Sequence, residues 1–222
     1  MLAAGSMRPA DIGTDHAFLP IYLVKNDADC ALASDINEGP CERARTNIRE
    51  HRLQDKITVR CVPGLSGIEE FLPDCVIICG MGGEMIASIL DESPYPMTSR
   101  CTLVLQPMTM QDALRKYLAE NGYEILAETV VFDAGKYYQL IKARYDGKMR
   151  TFTDTEYRLG AMNLARAKQN PTPDDIGWLS GVRDAANKRI TGREKAVNPD
   201  TAGQNADLAM LAVIDQILKG DL

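Results

Sequence analysis

The sequence predicts an α/β fold, an open and mostly parallel sheet covered on both faces by helices and followed by a helical tail. Three observations carry this. Short apolar runs of strand length recur at Pro9–Ile12, Ala31–Ser34, Ile57–Cys61, Cys75–Cys79 and Thr102–Gln106, separated by segments with helical spacing. Two of these runs end in glycine turns, at Gly13 and at Gly80-Met-Gly-Gly83. Strand signals cease after Gly147, where apolar residues recur every three or four positions instead.

The first unit is Arg8-Pro-Ala-Asp-Ile-Gly-Thr-Asp-His-Ala-Phe-Leu-Pro20, which reads as a buried strand to Ile12, a turn at Gly13 and a helix over 17–25. Ala31–Ser34 follows as the second strand, and Asp35 stands at its tip, about 20 residues on, where a nucleotide-binding unit places the acid for ribose hydroxyls. Gly13-Thr14-Asp15-His16-Ala17 lacks the second and third glycines of the dinucleotide fingerprint, so a pyrophosphate fits poorly. An adenosine ligand with a cationic end, such as S-adenosylmethionine, needs no phosphate cradle and suits a first loop carrying Asp11 and Asp15.

A charged helix runs to about Arg52, Ile57–Cys61 is the third strand, and Pro63-Gly64-Leu65-Ser66-Gly67 is a loop at a strand's carboxyl end, where such sheets place ligands. Cys75–Cys79 is apolar throughout, as a central parallel strand is, and helix 84–90 follows its glycines, whose amides are expected to be free above the sheet. Thr102–Gln106 precedes a helix from Gln111 to Asn121 stopped by Gly122, and 123–133 with 137–145 flank Ala134-Gly135-Lys136 as an antiparallel hairpin. Five β/α repeats closed by a hairpin describe the class I methyltransferase sheet, whose strand order 3-2-1-4-5-7-6 is expected by analogy. In the tail, Thr153-Asp154 caps a helix carrying Tyr157, Ala161, Leu164 and Ala165, and Pro173 opens a second with Ile176, Leu179, Val182, Ala186 and Ile190. Gln204–Leu218 forms a third, so a small bundle or antiparallel coiled coil is expected. The domains expected are 1–147, which binds cofactor, and 148–222, the helical arm.

Composition narrows the classes. With 222 residues, 45% hydrophobic and 25% charged, the chain suits one sizeable core and a small second unit, and neither disorder nor a repeat is indicated. No apolar run reaches membrane length and no signal-peptide pattern opens the chain, so a cytoplasmic protein without a membrane partner is expected. Six cysteines without C-x-x-C spacing and only two histidines point to core thiols and no metal site. Charge is divided unevenly: residues 1–147 hold 14 Lys/Arg against 21 Asp/Glu, a net of −7, while residues 148–195 hold 10 against 6, a net of +4. A basic arm on an acidic protein suits nucleic-acid phosphates, or equally a solvated helix face.

Asp11-Ile-Gly-Thr-Asp-His-Ala-Phe-Leu-Pro20, Ser34-Asp-Ile-Asn-Glu-Gly-Pro40, Cys79-Gly-Met-Gly-Gly83, Leu103-Val-Leu-Gln-Pro107 and Gly135-Lys-Tyr-Tyr138 together closely resemble bacterial TrmK-type tRNA (adenine(22)-N1)-methyltransferases. The resemblance covers nearly the whole chain and implies a Rossmann-like catalytic domain, a C-terminal coiled-coil domain, S-adenosylmethionine as cofactor and a tRNA D-arm adenine as target. It departs from the family at Phe18, commonly Tyr, at Met108, commonly Asn, and at Pro63, often polar; the helix that usually precedes the first strand is replaced by Met1–Met7.

On this reading Asp11, Gly13, Thr14, Asp15 and His16 hold the methionine side of the cofactor, Asp35 its ribose, Ile36, Gly64 and Leu65 its adenine, and Gly80, Met81 and Gly82 line the same edge. Asp15 and Gln106 are the candidate catalytic residues, because methylated adenine is cationic and acceptors near it stabilise the developing charge. Glycines at 80–83, in place of the Asn/Asp-Pro-Pro-aromatic motif of amino-group methyltransferases, argue for ring N1 over exocyclic N6. His16, Phe18, Pro107, Lys136 and Tyr137 are candidate contacts to the target base, with His16 alternatively capping its helix and Tyr137 alternatively packing on the sheet. Arg183, Lys188 and Arg189 are candidate phosphate contacts. A monomer is favoured over a dimer joined through the arm. Two alternatives stay open: a methyltransferase for another RNA or a small molecule, and an idle cofactor-binding RNA protein.

Overall fold

The computed structural model describes residues 2–3, 5–195 and 200–220; the remainder of the two expected domains lies outside the described residues. Strands β1 (Pro9–Ile12), β2 (Ala31–Asp35), β3 (Ile57–Cys61), β4 (Cys75–Gly82), β5 (Thr102–Thr109), β6 (Tyr123–Asp133) and β7 (Lys136–Tyr145) form one sheet in the order β3-β2-β1-β4-β5-β7-β6, as expected. The pairs among β1 to β5 are parallel, and β7 joins β5 antiparallel, with Leu103 opposite Ala143.

Side-chain alternation explains why the sheet is covered twice. Val76 and Ile78 of β4 enter one core with Ile86 and Leu90 of α3 (Gly83–Asp91) and Leu114 and Leu118 of α5 (Gln111–Glu120). Cys75 and Ile77, one residue out of step, enter the other with Ile21 and Val24 of α1 (Phe18–Asn26) and Ala44 and Ile48 of α2 (Glu38–Glu50). The cysteines of both layers are free thiols. A 3₁₀ turn at Ile68–Glu70 and the short α4 (Tyr95–Ser99) complete the sheet region; neither carries a periodic pattern long enough to read from sequence.

β4 and β5 each run three residues further than expected. β4 continues through its glycines, with Met81 opposite Pro107 and Gly82 opposite Thr109, across register shifts on either side of Met81. Gly80 takes φ +79°, so the cluster is a bulged strand end before it is a helix entry. Gly83 then opens α3 where a Cβ would lie 2.0 Å from the Met110 carbonyl oxygen, so only glycine fits.

Among the described residues the tail forms four helices: α6 (Asp154–Leu159), α7 (Ala161–Gln169), α8 (Pro173–Glu194) and α9 (Thr201–Lys219). The single helix expected after Thr153 is broken at Gly160, whose φ of +86° no helix accommodates and whose missing Cβ leaves room for the Glu128 carboxylate. Thr153 and Thr172 each close a capping box, with Glu156 and Asp175. The helices bury Leu159, Leu164, Trp178, Leu179, Met210 and Ile214, while Ile176, expected on the inner face of α8, is exposed.

The chain divides into two compact units. One comprises Met1–Ala127 and Leu140–Thr151; the other comprises Glu128–Gln139 and Phe152–Leu222, so the tip of the β6–β7 hairpin belongs with the helices although it lies within the expected 1–147. Among the described residues no helix is long and apolar enough to cross a membrane.

Candidate active site

The carboxyl edge of the sheet unit is assembled around β1, which pairs with β2 on one side and β4 on the other, the point at which strand order reverses. The Gly13 turn is tied to β2: the Gly13 and Thr14 amides both donate to the Ser34 carbonyl, at 2.8 and 2.9 Å. This anchors the turn one residue before Asp35. Asp35 Oδ1 accepts from the Asn37 amide at 3.0 Å, which fixes its rotamer and leaves its other oxygen available to a ligand hydroxyl. On the opposite side, the Met81 methyl occupies the space a Cβ on Gly13 would enter, 2.2 Å from that position, so the turn and the β4 extension interlock.

Asp11 is buried, and Thr14 Oγ1 donates to its Oδ2 at 2.7 Å. Burial, reinforced by the nearby Asp35 charge and only partly offset by Thr14, pushes its carboxyl up to about 6. At neutral pH it is still mostly ionised, a buried negative charge that a cation would suit. Asp15 differs: it is exposed, its Oδ1 lies 2.6 Å from Arg43 Nη2 and its Oδ2 3.3 Å from His16 Nε2, and Arg43 holds its carboxyl below the usual range.

His16 does not cap α1. The cap position is Ala17 in the left-handed region, without a side-chain hydrogen bond, and the imidazole instead stacks on Phe18 with centroids 5.2 Å apart and planes at 11°. Phe18 and Ile36 are the most open apolar side chains of this edge, 64% and 65% exposed. Ile36 thus offers a free apolar face beside Asp35. Leu65 turns its side chain into the core with Ile68 and Ile89, so any adenine contact it makes is through its backbone; Gly64 beside it remains in the loop at the end of β3.

The amides after β4 are not all free, as had been expected. The Gly80 amide donates to Gln106 Oε1 at 3.0 Å, and Gln106 Nε2 lies 3.3 Å from Met108 Sδ. Gln106 is thereby a brace between β5 and the bulge, and Pro107, opposite Met81 across the strands, is buried. Arg43 and Asn47 escaped the sequence reading. Their spacing of four puts both on one side of α2, Arg43 reaching Asp15 and Asn47 Nδ2 donating to the His16 carbonyl at 2.8 Å, a pairing the i,i+4 rule could have flagged. Cys41 and Cys61 donate weakly to the carbonyls of Asp35 and Ile36, at 3.6 and 3.7 Å, and among the described residues no cluster of His, Cys, Asp and Glu suits a metal.

Asp11, Gly13, Thr14, Asp15, His16, Phe18, Asp35, Ile36, Gly64, Gly80, Met81, Gly82 and Gln106 therefore share the sheet unit, whereas Lys136, Tyr137, Arg183, Lys188 and Arg189 belong to the helical unit. There Arg189 forms a bidentate pair with buried Asp207, at 2.7 and 3.0 Å, joined by Arg158 and Arg193. Arg189 is committed to this pair, which gives it a structural role that its charge alone did not reveal, although its side chain stays 45% exposed. Lys188 is exposed, and Arg183 has only a loose 3.7 Å contact with Asp184.

A family model described as "Methyltransferase domain" matches residues 1–141. The chain belongs to the methyltransferase-domain family. It groups there with TrmK-type proteins: it is 36% identical over 146 residues to the tRNA (adenine(22)-N(1))-methyltransferase of Bacillus subtilis, covering 62% of this chain and 61% of that protein. In such sequence matches the chain spans about three fifths of the length of its curated relatives. Among solved structures it is similar to B. subtilis TrmK, with 25% identity, a TM-score of 0.80 and coverage of 98% and 94% of the two chains. It is also similar to M. capricolum TrmK in complex with S-adenosyl-homocysteine, with 26% identity, a TM-score of 0.77 and coverage of 97% and 92%.

Proposed function

We propose that the protein methylates N1 of an adenine in tRNA, at position 22 of the D-arm region, using S-adenosylmethionine, in the cytoplasm. The observation that carries this reading is the edge built by Asp11, the Gly13 turn and Asp35, in a chain similar along almost its whole length to a TrmK structure holding S-adenosyl-homocysteine. The residues present suit that cofactor. Asp35 takes the ribose hydroxyls, Ile36 covers one face of the adenine, and Asp11 faces the cationic end, which favours its ionised form and draws its raised pKa back down. When bound, S-adenosylmethionine supplies an electrophilic methyl group.

The rest is positioning. Adenine N1 is neutral and offers its lone pair without losing a proton, so no general base is needed, and alignment dominates the rate. The Gly80–Met81 bulge, braced by Gln106, presents backbone carbonyls to the ring as it becomes cationic, and Asp15 adds a carboxylate at the same edge. Gln106 is in this scheme a positioning residue for Gly80, and Phe18 and His16 contact the base. The helical unit grips the tRNA, which offsets the few kcal/mol, roughly, needed to unstack a base. Charge reversal at Lys188 raises KM for tRNA, and reversal at Arg189 lowers stability instead.

The deciding experiment is labelled methyl transfer from S-adenosylmethionine to unmodified tRNA transcripts, with reverse transcription to map blocked Watson–Crick edges. A stop at the position-22 adenine, lost when that base is changed, is expected. Incorporation at an exocyclic amine or at another position overturns the reading.

A further inference from the structure

In the helical unit the arginines are engaged internally: Arg158, Arg189 and Arg193 converge on Asp207, and Arg166 forms a bidentate pair with Asp175. The cations left exposed are chiefly lysines, and three of them accompany an aromatic feature. At the hairpin tip the ring of Phe132 is 49% exposed and lies 4.8 Å from that of Tyr137, tilted by 45°. The tip is not loose. The Phe132 amide donates to Asp174 Oδ2 at 3.1 Å, and the Tyr137 hydroxyl fills the space above Gly177, where a Cβ would lie 1.9 Å from it. Tyr137 is thus the support and Phe132 the open face.

The side of α8 on which the tip rests continues outward. Gly177, Gly181, Asp184 and Lys188 follow at spacings of four, three and four, which keeps them on one stripe, and Gly181 and Lys188 are exposed. Lys195 follows Lys188 by two turns, roughly 10 Å further along the axis. Lys136 adjoins Tyr137 at the other end. Asp174 at the tip and Asp184 further along are the carboxylates of the stripe among the described residues, and Arg183 lies beside Asp184.

We propose that this surface holds a strand of the RNA substrate, with one unstacked base on Phe132 and phosphates at Lys136, Lys188 and Lys195. The inference rests on the tRNA reading above and adds residues to it. The exposed apolar groups of this tip, the rings of Phe132 and Tyr137 with Val131 and Ile176, make a patch far smaller than a stable protein interface needs, whereas a base needs only one ring face and a nearby cation for its phosphate. The arrangement therefore favours nucleic acid over a protein partner.

The test is tRNA affinity, by filter binding across a salt series, alongside cofactor affinity and melting temperature. Phe132→Ala is expected to weaken tRNA binding about tenfold with cofactor affinity and melting temperature unchanged, and Phe132→Trp to restore it. Lys188→Glu with Lys195→Glu is expected to weaken binding and flatten its salt dependence. Wild-type affinity in both variants, while the parent protein methylates tRNA, overturns this surface and leaves the proposed function standing. A Phe132→Ala defect that tryptophan does not rescue and that lowers the melting temperature makes the ring structural and also overturns it. If the parent protein neither binds nor methylates tRNA, the underlying reading fails and this one with it.

Discussion

The two units treat their charges in opposite ways. In the sheet unit Asp11 is buried with only a threonine hydroxyl for a partner and Asp35 keeps one oxygen unengaged, so that edge holds carboxylates in need of a ligand. In the helical unit Asp175 and Asp207 are fully buried too, yet each is saturated by arginine. Asp207 alone receives three guanidinium groups, from α6 and from the second half of α8. The same residue type is a binding device in one place and a structural tie in the other, and the difference is whether its partners are built in.

Breaking the tie has the largest expected effect. Asp207→Ala leaves three arginines facing a buried cavity and is expected to cost about 3–5 kcal/mol, read as a lowered urea midpoint, with cofactor affinity retained by whatever fraction remains folded. Arg189, above the other two arginines, holds the Asp207 carboxyl down at about 2. A depressed carboxylate contributes stability above its ordinary range and loses it as pH falls towards 2, so this tie persists at any neutral pH. Breaking the binding device should do the reverse. Asp35→Ala is expected to weaken S-adenosylmethionine binding about thirtyfold, the value of roughly 2 kcal/mol for hydrogen bonds to a charged group, with little change in melting temperature. Unchanged affinity would remove Asp35 from the ribose role.

The sheet was legible because its signals are local: short apolar runs of strand length, glycine turns, and an acid at the tip of the second strand. Charge count, by contrast, misled in the tail. Ten basic residues within 148–195 look alike in sequence, and only the fold reveals that Arg158, Arg166, Arg189 and Arg193 meet carboxylates 9 to 49 positions away while Lys188 meets none among the described residues. The orientation of Leu65 was likewise illegible, since an apolar residue in a loop can face ligand or core, and here its side chain faces core. Gly80 and Gln106 were both singled out, but the hydrogen bond between them depends on a bulge that no spacing rule predicts. The break at Gly160 follows from a partner 32 residues earlier, Glu128, invisible to helical periodicity.

Acidity separates the two carboxylate environments more finely. Asp11 is raised to about 6 by burial, so it takes up a proton as pH falls through that value, whereas Asp207 does not titrate there. Cofactor affinity is expected to drop below pH 6 by up to about tenfold per pH unit, and binding at pH 6 should release a proton, visible as a buffer-dependent enthalpy in calorimetry. Asp11→Asn removes that release. An affinity flat from pH 5 to 7 would show that Asp11 does not meet the cationic end.

The smallest effect tests whether Asp15 belongs with the binding carboxylates or with the saturated ones. It sits between: exposed at the site edge, yet paired with Arg43 at 2.6 Å. Arg43→Ala removes the group chiefly responsible for its lowered pKa, so the carboxyl rises towards its ordinary value but stays ionised at neutral pH. Its negative charge is then no longer cancelled. If Asp15 faces a cationic ligand, affinity should improve two- to fivefold, roughly the strength of an exposed ion pair, and the gain should fade at high salt. A loss of affinity instead would mean that Arg43 holds Asp15 in its productive position, placing the pair with the structural ties of the helical unit.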